Sequence, residues 1–327
     1  MTKLVTIFGG SGFIGRYIAH RMAKRGWRVR VAVRRPNEAI FVKTYGVVGQ
    51  VEPILCNIRD DASVEEALNG ADAVVNCVGI LIEDKKNTFA AVQHSGAERI
   101  GRLSKEVGIK SLVHISAIGA DENSSSIYSS TKAKGENAIV SNFPNAVILR
   151  PSIVFGQEDQ FFNRFAKMAT IGPVLPLIGA STRFQPVFVD DVAKAAEVAL
   201  LGSVPKGIYE LGGPEIKDFR ELMILMLKII KRRRLIINTP RFIAKLMAFG
   251  LSSLQMLTLG LFKNSIITSD QIKNLGIDNI VSKKATGFEQ LNIDPLDMGS
   301  ILPEYLWRYR PSGQYNAIKD SAKNLKS

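Results

Sequence analysis

The chain has 327 residues, of which 46% are hydrophobic, so it can bury the core of one large domain or of a large and a small one. This composition excludes a disordered or fibrous protein. Two cysteines, Cys56 and Cys77, lie in or beside predicted buried strands, which favours a reducing compartment over a disulfide framework. Because the chain has three histidines and no clustered Cys/His spacing, we expect no metal site. The chain is basic, with a formal net charge of +13.

The first predicted element is a short apolar strand, Leu4–Phe8, that runs directly into a glycine-rich turn. From Phe13 to Lys24 apolar residues recur at helical spacing, so the turn joins a strand to a helix. In such a turn the backbone can approach a pyrophosphate, which the N–H groups and the positive dipole end of the helix bind. The alternative is a purely structural turn. The residues predicted to contact a dinucleotide here are Gly9, Ser11, Gly12, Phe13, Ile14 and Gly15.

Strands and helices alternate as far as residue 150, which is typical of a parallel sheet covered by helices on both faces. The predicted strands are Leu4–Phe8, Arg28–Val33, Val51–Leu55, Ala73–Val78, Ser111–Ser116 and Ala146–Leu149. The predicted helices are Phe13–Arg25, Ser63–Asn69, Phe89–Val107 and Tyr128–Ser141. The fold class is therefore α/β, a Rossmann-type doubly wound parallel sheet with a smaller, mostly helical C-terminal lobe. Because the first strand is predicted to start at residue 3, we expect no signal or transit peptide.

Beyond Pro151 the alternation loosens, and a further strand, Val187–Val189, is followed by a helix over Val192–Leu201 that Asp190 can cap. We expect this strand and helix to return to the first domain. The predicted domains are a dinucleotide-binding Rossmann domain over residues 1–211, with 151–182 partly contributing to the second lobe, and a helical C-terminal lobe over 212–327.

The end of the second predicted strand carries Arg34 and Arg35. Proteins that bind NAD place an Asp or Glu at this point to bond the ribose hydroxyls, and here no acidic residue occurs before Glu38. A guanidinium group binds a 2′-phosphate through two parallel hydrogen bonds. The sequence therefore favours NADP(H), with NAD(H) the weaker alternative; otherwise the two arginines belong to a solvated loop.

A second pattern, Tyr128-Ser-Ser-Thr-Lys132, starts the helix after the fifth predicted strand. Residues four apart share one face of a helix, so the phenol and the ammonium group are expected to point the same way. A nearby cation lowers the pKa of a phenol, which would make Tyr128 a general acid or base near neutral pH. Lys132 can also bond the ribose of a nicotinamide cofactor.

Together the glycine turn and the Tyr/Lys pair resemble the short-chain dehydrogenase/reductase superfamily in its extended or atypical branch, over residues 1 to about 230. Segments after the later strands resemble its loops beside the cofactor. The resemblance implies further cofactor contacts from Asn57 and Ile58, from Cys77, Val78 and Gly79, and from Pro151. It also implies a catalytic Ser or Thr after the fifth strand. Ser116 is the candidate, but Ala117 and Ile118 occupy the position that usually holds this hydroxyl.

More narrowly, the segments 114–120 and 155–163 resemble the nucleotide-binding accessory subunits of respiratory complex I and their bacterial relatives. This subgroup implies a dinucleotide held as a structural cofactor, without turnover. From the residues alone, His114 is expected to be a core residue on a buried strand and not a catalyst.

The C-terminal lobe contains a basic stretch, since residues 222–269 include no acidic residue. Within it Leu246–Phe262 carries no charge, which suits a helix on a membrane surface or a hydrophobic partner, or else a buried helix beside a solvated basic face. No nucleic-acid partner is expected, because no binding module accompanies the charge.

Two hypotheses follow. The chain is a non-catalytic NADP(H)-binding accessory subunit bound to a membrane complex through residues 222–269, cytoplasmic and peripheral on the inner face of the bacterial inner membrane (the matrix side for an organellar relative). Alternatively it is an active NADP-dependent oxidoreductase, epimerase or dehydratase that acts on a small carbonyl, sterol-like or sugar-nucleotide substrate.

Overall fold

The computed structural model describes residues 2–202, 204–240 and 269–315. Within this part of the chain the strands are β1 (Leu4–Phe8), β2 (Arg28–Val33), β3 (Val51–Leu55), β4 (Ala73–Asn76), β5 (Ser111–Ile115), β6 (Val147–Pro151), β7 (Val154–Phe155), β8 (Val174–Leu177), β9 (Arg183–Phe184), β10 (Val187–Phe188), β11 (Gly207–Leu211), β12 (Lys217–Asp218) and β13 (Leu235–Asn238). The α-helices are α1 (Phe13–Lys24), α2 (Asp61–Leu68), α3 (Ser95–Glu106), α4 (Ile127–Asn142), α5 (Phe162–Ile171), α6 (Val189–Leu200), α7 (Phe219–Ile229), α8 (Ser269–Asn274) and α9 (Met298–Leu306).

The chain divides into two compact units. Unit 1 comprises Met1–Ser152, Val189–Gly212 and Val281–Pro295, and unit 2 comprises Ile153–Phe188, Gly213–Ile280 and Leu296–Ser327. All of 212–327 was expected in the C-terminal lobe, whereas residues 281–295 belong to unit 1. They are held there because the Ser282 amide donates to the Glu210 carboxylate at 2.8 Å and the Glu210 amide donates to the Thr286 carbonyl at 2.8 Å.

Unit 1 is built on a seven-stranded parallel sheet with the order β11-β6-β5-β4-β1-β2-β3. The chain starts in the middle of the sheet and moves to one edge before crossing over to the other half. The doubly wound Rossmann fold expected from the sequence is therefore confirmed. In sheets of this kind ligands bind outside the carboxyl ends of the strands, where the strand order reverses, and here that point lies between β1 and β4.

Two of the predicted helices differ from the structure at their amino ends. The helix predicted over Phe89–Val107 starts with a π-helical turn, Ala90–His94, before α3 continues it. The helix predicted from Val192 starts three residues earlier, at Val189, so Asp190 does not cap it. Asp190 lies in the first turn of α6, where its carboxylate accepts two hydrogen bonds from Arg21 of α1, at 2.6 and 2.8 Å.

Unit 2 has its own core, in which α5, α7 and α9 bury aromatic and aliphatic side chains. Two arginines of the basic stretch form hydrogen bonds with backbone carbonyl groups of unit 2. Arg232 donates to the Tyr309 carbonyl and Arg234 to the Ala169 carbonyl, each at 2.8 Å. The predicted apolar segment Leu246–Phe262 lies outside the described residues. Across the described ranges, no helix has both the length and the apolar character needed to cross a bilayer.

Candidate functional site

The glycine turn lies at the carboxyl end of β1, and each of its glycines meets a different requirement. Gly9 has φ +75°, a conformation that other residues rarely adopt. A Cβ atom on Gly15 would lie 2.4 Å from the Gly9 carbonyl oxygen and 2.8 Å from the Gly10 Cα, so α1 packs directly on the turn. Gly12, the exposed N-cap of α1, has its nearest such neighbour, the Gly9 oxygen, at 3.1 Å. Gly12 therefore combines an ordinary backbone conformation with one close contact, so an added side chain there requires the Gly9 oxygen to move by only a few tenths of an ångström.

The first N–H groups of α1, on Phe13, Ile14 and Gly15, have no partner within the helix because of their position in it. The macrodipole adds partial positive charge at the same end, and the first turn of α1 holds no acidic residue. These residues fit a pyrophosphate, whose oxygens would accept from the N–H groups where the missing Gly12 Cβ leaves space.

A residue that the sequence analysis missed lies directly after the turn. Arg16 donates to the carbonyl oxygens of Ser11 at 3.0 Å and of Gly12 at 3.3 Å, and its guanidinium group lies 4.8 Å from the centre of the Phe41 ring. These contacts hold a cation beside the glycine turn. The signal in the sequence was a basic residue immediately after the last glycine, but its orientation depends on Phe41, which is distant along the chain.

The two arginines predicted to select the cofactor follow β2 and are exposed. β2 pairs with β1, and the Gly9 amide donates to the Ala32 carbonyl at 2.9 Å, so the end of β2 adjoins the glycine turn. Arg35 forms an exposed ion pair with Glu38 at 3.0 Å. Such pairs contribute little to stability, so Arg35 can exchange this partner for a ligand phosphate at small cost.

The loop after β3 holds Asn57 and Ile58, both half-buried. The Asn57 side-chain oxygen accepts from the backbone and the guanidinium group of Arg59, each at 3.2 Å. Ile58 packs on α3, because a Cβ on Gly96 would lie only 2.8 Å from its Cδ1 atom. The structure therefore fixes both residues at the carboxyl edge of the sheet.

The loop after β4 lies against the glycine turn. The Cys77 amide donates to the Phe8 carbonyl at 2.9 Å, and a Cβ on Gly9 would lie 3.3 Å from both the Cys77 carbonyl carbon and the Val78 side chain. Burial raises the pKa of the Cys77 thiol to about 12, so it stays a neutral lining group. Gly79 is exposed, and the position of its missing Cβ lies 3.5 Å from Lys132 Nζ.

A buried polar pair supports this loop from beneath. The Asn76 side-chain oxygen accepts from the Val78 amide at 3.0 Å, and the Asn76 amide nitrogen lies 3.1 Å from His114 Nδ1. Because an amide NH₂ can only donate, His114 Nδ1 is the acceptor and its ring proton is on Nε2. Burial and the charge of Lys132 lower the pKa of His114 to about 3. His114 is a neutral residue of the buried sheet.

The Tyr128 and Lys132 side chains are set by α4, whose N-cap Ser126 accepts from the Ser129 amide at 3.3 Å. Lys132 Nζ donates to the Ile115 carbonyl at 3.0 Å, which ties it to the end of β5. Burial lowers the pKa of Lys132 to about 8, although the negative charge of Glu136 favours its protonated form.

The expected effect of Lys132 on Tyr128 is not found. Burial raises the pKa of Tyr128 to about 12, and it is the cause that dominates. The Tyr128 ring packs edge-to-face on Phe89, with the ring centres 6.0 Å apart. The direction of the pKa shift is opposite to the lowering that was expected, and Tyr128 is a neutral phenol in this structure.

The residues around the expected catalytic hydroxyl are packed. Ser116 is 4% exposed, and within the described part of the chain its hydroxyl oxygen has no hydrogen-bond partner. Ile118 is buried, and its amide donates to the Pro151 carbonyl at 3.0 Å. Pro151 itself ends β6 and pairs with Leu211. All the predicted site residues thus belong to unit 1, along the carboxyl edge of one sheet.

The sequence of this chain matches the NAD dependent epimerase/dehydratase family over residues 5–212. The chain belongs to this family, and the expected membership of the short-chain dehydrogenase/reductase superfamily is confirmed.

Among its relatives is the NADH dehydrogenase [ubiquinone] 1 alpha subcomplex subunit 9, mitochondrial, of Arabidopsis thaliana, which is 34% identical over 95% of this chain and 79% of that protein. The chain is thus a homologue of accessory subunits of complex I. A ceramide reductase of Caulobacter vibrioides is 28% identical, over 64% of each protein.

Solved structures share the fold. The crystal structure of gox2253 superposes with a TM-score of 0.71 at 19% identity, over 96% of this chain and 99% of that one. UDP-glucose 4-epimerase of Thermus thermophilus, in complex with NAD, superposes with a TM-score of 0.60 at 22% identity, over 72% of this chain and 86% of that one.

Proposed function

We propose that this protein binds NADP(H) tightly as a structural cofactor and serves as an accessory subunit of a membrane-bound complex I. The observation that carries the proposal is the extent of the similarity. The complex I subunit of Arabidopsis thaliana matches 95% of this chain, unit 2 included, whereas the ceramide reductase matches 64%. A subunit needs its docking surfaces as well as its nucleotide site, so similarity along the whole chain favours the accessory role.

The geometry of the nucleotide site supports the cofactor. The amino end of α1 would hold the pyrophosphate, and Lys132, beside Gly79, would bond the nicotinamide ribose. Arg16, Arg34 and Arg35 border the glycine turn and the end of β2, where a 2′-phosphate would lie. These three guanidinium groups can bind a 2′-phosphate, and the nearby exposed carboxylate, Glu38, is already paired with Arg35. The charge at this point therefore favours NADP(H) over NAD(H).

The catalytic centre supports retention of the cofactor over turnover. Ala117 and the buried Ile118 occupy the position at which the family carries a hydroxyl that binds the substrate. Tyr128, with its pKa near 12, is a poor base at neutral pH, although its neutral phenol could still donate a proton. The missing hydroxyl is therefore the feature that argues against turnover. In the proposed role the protein would lie on the cytoplasmic side of a bacterial inner membrane, or the matrix side in an organelle.

The decisive experiment is native purification from membranes in mild detergent without added nucleotide. Mass spectrometry then identifies the bound dinucleotide and the proteins that copurify. We expect NADP(H) in about equal amount to the chain, together with subunits of complex I. A soluble homo-oligomer without respiratory subunits would overturn the accessory role, and a preparation with neither dinucleotide would overturn the nucleotide site.

A second function is favoured by the ceramide reductase relative and by the retained Ser116, Tyr128 and Lys132. In that case the protein is an NADP-dependent reductase of a carbonyl group. Replacing Tyr128 by Phe separates the two functions, since it removes only the phenol oxygen. The accessory role predicts unchanged cofactor content and unchanged NADH:quinone activity of the complex. An active reductase would lose its turnover while it kept the cofactor.

A further inference from the structure

The strands β8 and β13 form a two-stranded parallel ribbon in unit 2, paired from Leu235 with Val174 to Asn238 with Leu177. Side chains alternate along a strand, so each ribbon strand has an inner and an outer set. The inner set lies in the core of unit 2, where Leu175 and Leu177 are fully buried and Ile236 packs against them. The ribbon is therefore firmly attached by one of its faces.

The outer set is aliphatic as well. Leu235 is 63% exposed, Ile237 45% and Val174 36%, while Ile171, at the end of α5 just before the ribbon, is 81% exposed. With the exposed Pro176 these residues make up what we call the apolar ribbon face. A contiguous apolar surface is uncommon on a soluble protein and marks a site of interaction.

The chain segments that supply the apolar ribbon face carry charge of one sign. Residues 160–189, which supply β8, include no acidic residue, and neither do residues 222–269, which supply β13. Lys167 is exposed one helical turn before Ile171, and Arg233 is exposed two residues before Leu235. Arg232 and Arg234 bond carbonyl groups of unit 2, whereas Lys167 and Arg233 are exposed cations that flank the apolar ribbon face in the chain.

We propose that the apolar ribbon face lies on an anionic lipid surface. Aliphatic side chains bordered by Lys and Arg, without acidic residues, match the boundary between acyl chains and anionic headgroups. The site consists of described residues of β8, β13 and the end of α5, all of which belong to unit 2, whereas the predicted dinucleotide contacts belong to unit 1. The choice of a membrane as partner rests on the proposed function, whereas the surface itself does not.

The test is cosedimentation of the full chain, with its dinucleotide bound, with large vesicles. One set of vesicles is pure phosphatidylcholine and the other contains about one-third phosphatidylglycerol. We expect binding to the anionic vesicles only, weakened at high salt because the charges are exposed. The double substitution Leu235→Ser with Ile237→Ser should weaken binding about tenfold, and Arg233→Ser should weaken it less.

The matched control is Val47→Ser with Val48→Ser, which alters side chains that are 74% and 104% exposed in unit 1. This variant should bind vesicles like the parent chain. The proposal would be overturned if the Leu235/Ile237 variant bound anionic vesicles as well as the parent chain does. It would also be overturned if the parent chain bound neutral vesicles alone, or bound an acidic protein but no lipid. Dinucleotide content and melting temperature are measured for each variant. A variant that keeps its dinucleotide content and melting temperature but no longer binds vesicles supports the proposal. If the parent chain itself holds no dinucleotide, that result argues against the proposed function and not against the lipid surface.

Discussion

The glycine turn offers a pair of substitutions that separates binding from folding. A valine at Gly12 is compatible with the backbone angles, since φ is −70° and ψ is 179°. Its Cβ would meet one atom, the Gly9 oxygen, at 3.1 Å, which has to shift by a few tenths of an ångström. Its methyl groups would occupy the space proposed for the pyrophosphate. We expect a loss of dinucleotide affinity of about 100-fold or more, equivalent to about 2.7 kcal/mol. Loss of the glycine N-cap should cost stability only about 1 kcal/mol.

An alanine at Gly15 should act mainly on folding and lower the stability of the protein. Its Cβ would lie 2.4 and 2.8 Å from backbone atoms of Gly9 and Gly10, which no side-chain movement can relieve. Separation of α1 from the turn should lower the free energy of unfolding by about 3 kcal/mol.

Bound nucleotide after purification, titration calorimetry of the stripped protein and denaturant melts would measure both effects. Unchanged affinity in Gly12→Val would refute the placement of the pyrophosphate, and unchanged stability in Gly15→Ala would refute the packing argument.

Three further predictions concern the rest of unit 1. Substituting Arg34 and Arg35 together by Ser should lower NADP(H) affinity roughly 10- to 100-fold and leave NAD(H) affinity nearly unchanged; an unaltered ratio in titrations would place both arginines on a merely solvated loop. The folded-state pKa of His114, about 3, lies below its usual 6.5, so the unfolded chain binds the extra proton and stability falls as pH drops below 6.5. From pH 7 to pH 5 this amounts to about 2 kcal/mol, which His114→Leu should remove from the pH dependence of denaturant melts; an identical slope in that variant would contradict the assignment. Arg150→Met leaves the buried Glu136 carboxylate, which Arg150 bonds at 2.6 and 2.9 Å, without its partner and should cost about 3 to 5 kcal/mol. Arg102→Met removes two exposed ion pairs, with Asp61 and Glu106, and should cost only about 1 kcal/mol. Equal losses in these two variants would contradict the role of burial.

The acid sensitivity has a structural origin. His114 is 2% exposed, and its Nε2 proton has no acceptor among the described residues. Because Nδ1 accepts the hydrogen bond from Asn76, a proton added to Nδ1 would break that bond. Burial is the larger cause of the low pKa and the charge of Lys132 the smaller one. Protonation therefore acts against the pair that holds the loop after β4.

Local features were predictable from the sequence. The first three strands were predicted with the bounds that the structure shows, and the glycine turn was placed between β1 and α1. Alternation of apolar residues, glycines without a Cβ and helical spacing all act over a few neighbouring residues. Local order therefore sufficed to predict the doubly wound sheet and the edge of it that carries the site.

The pKa of Tyr128, the orientation of Arg16 and the place of Asp190 were decided by tertiary structure. Each depends on a group far away in the chain, namely the ring of Phe89 that packs on Tyr128, the ring of Phe41 and the guanidinium group of Arg21. The apolar ribbon face belongs with them, because it exists only once β13 pairs with β8. A sequence encodes which groups are polar or apolar, but burial and nonlocal pairing determine which of them are charged, covered or left on the surface.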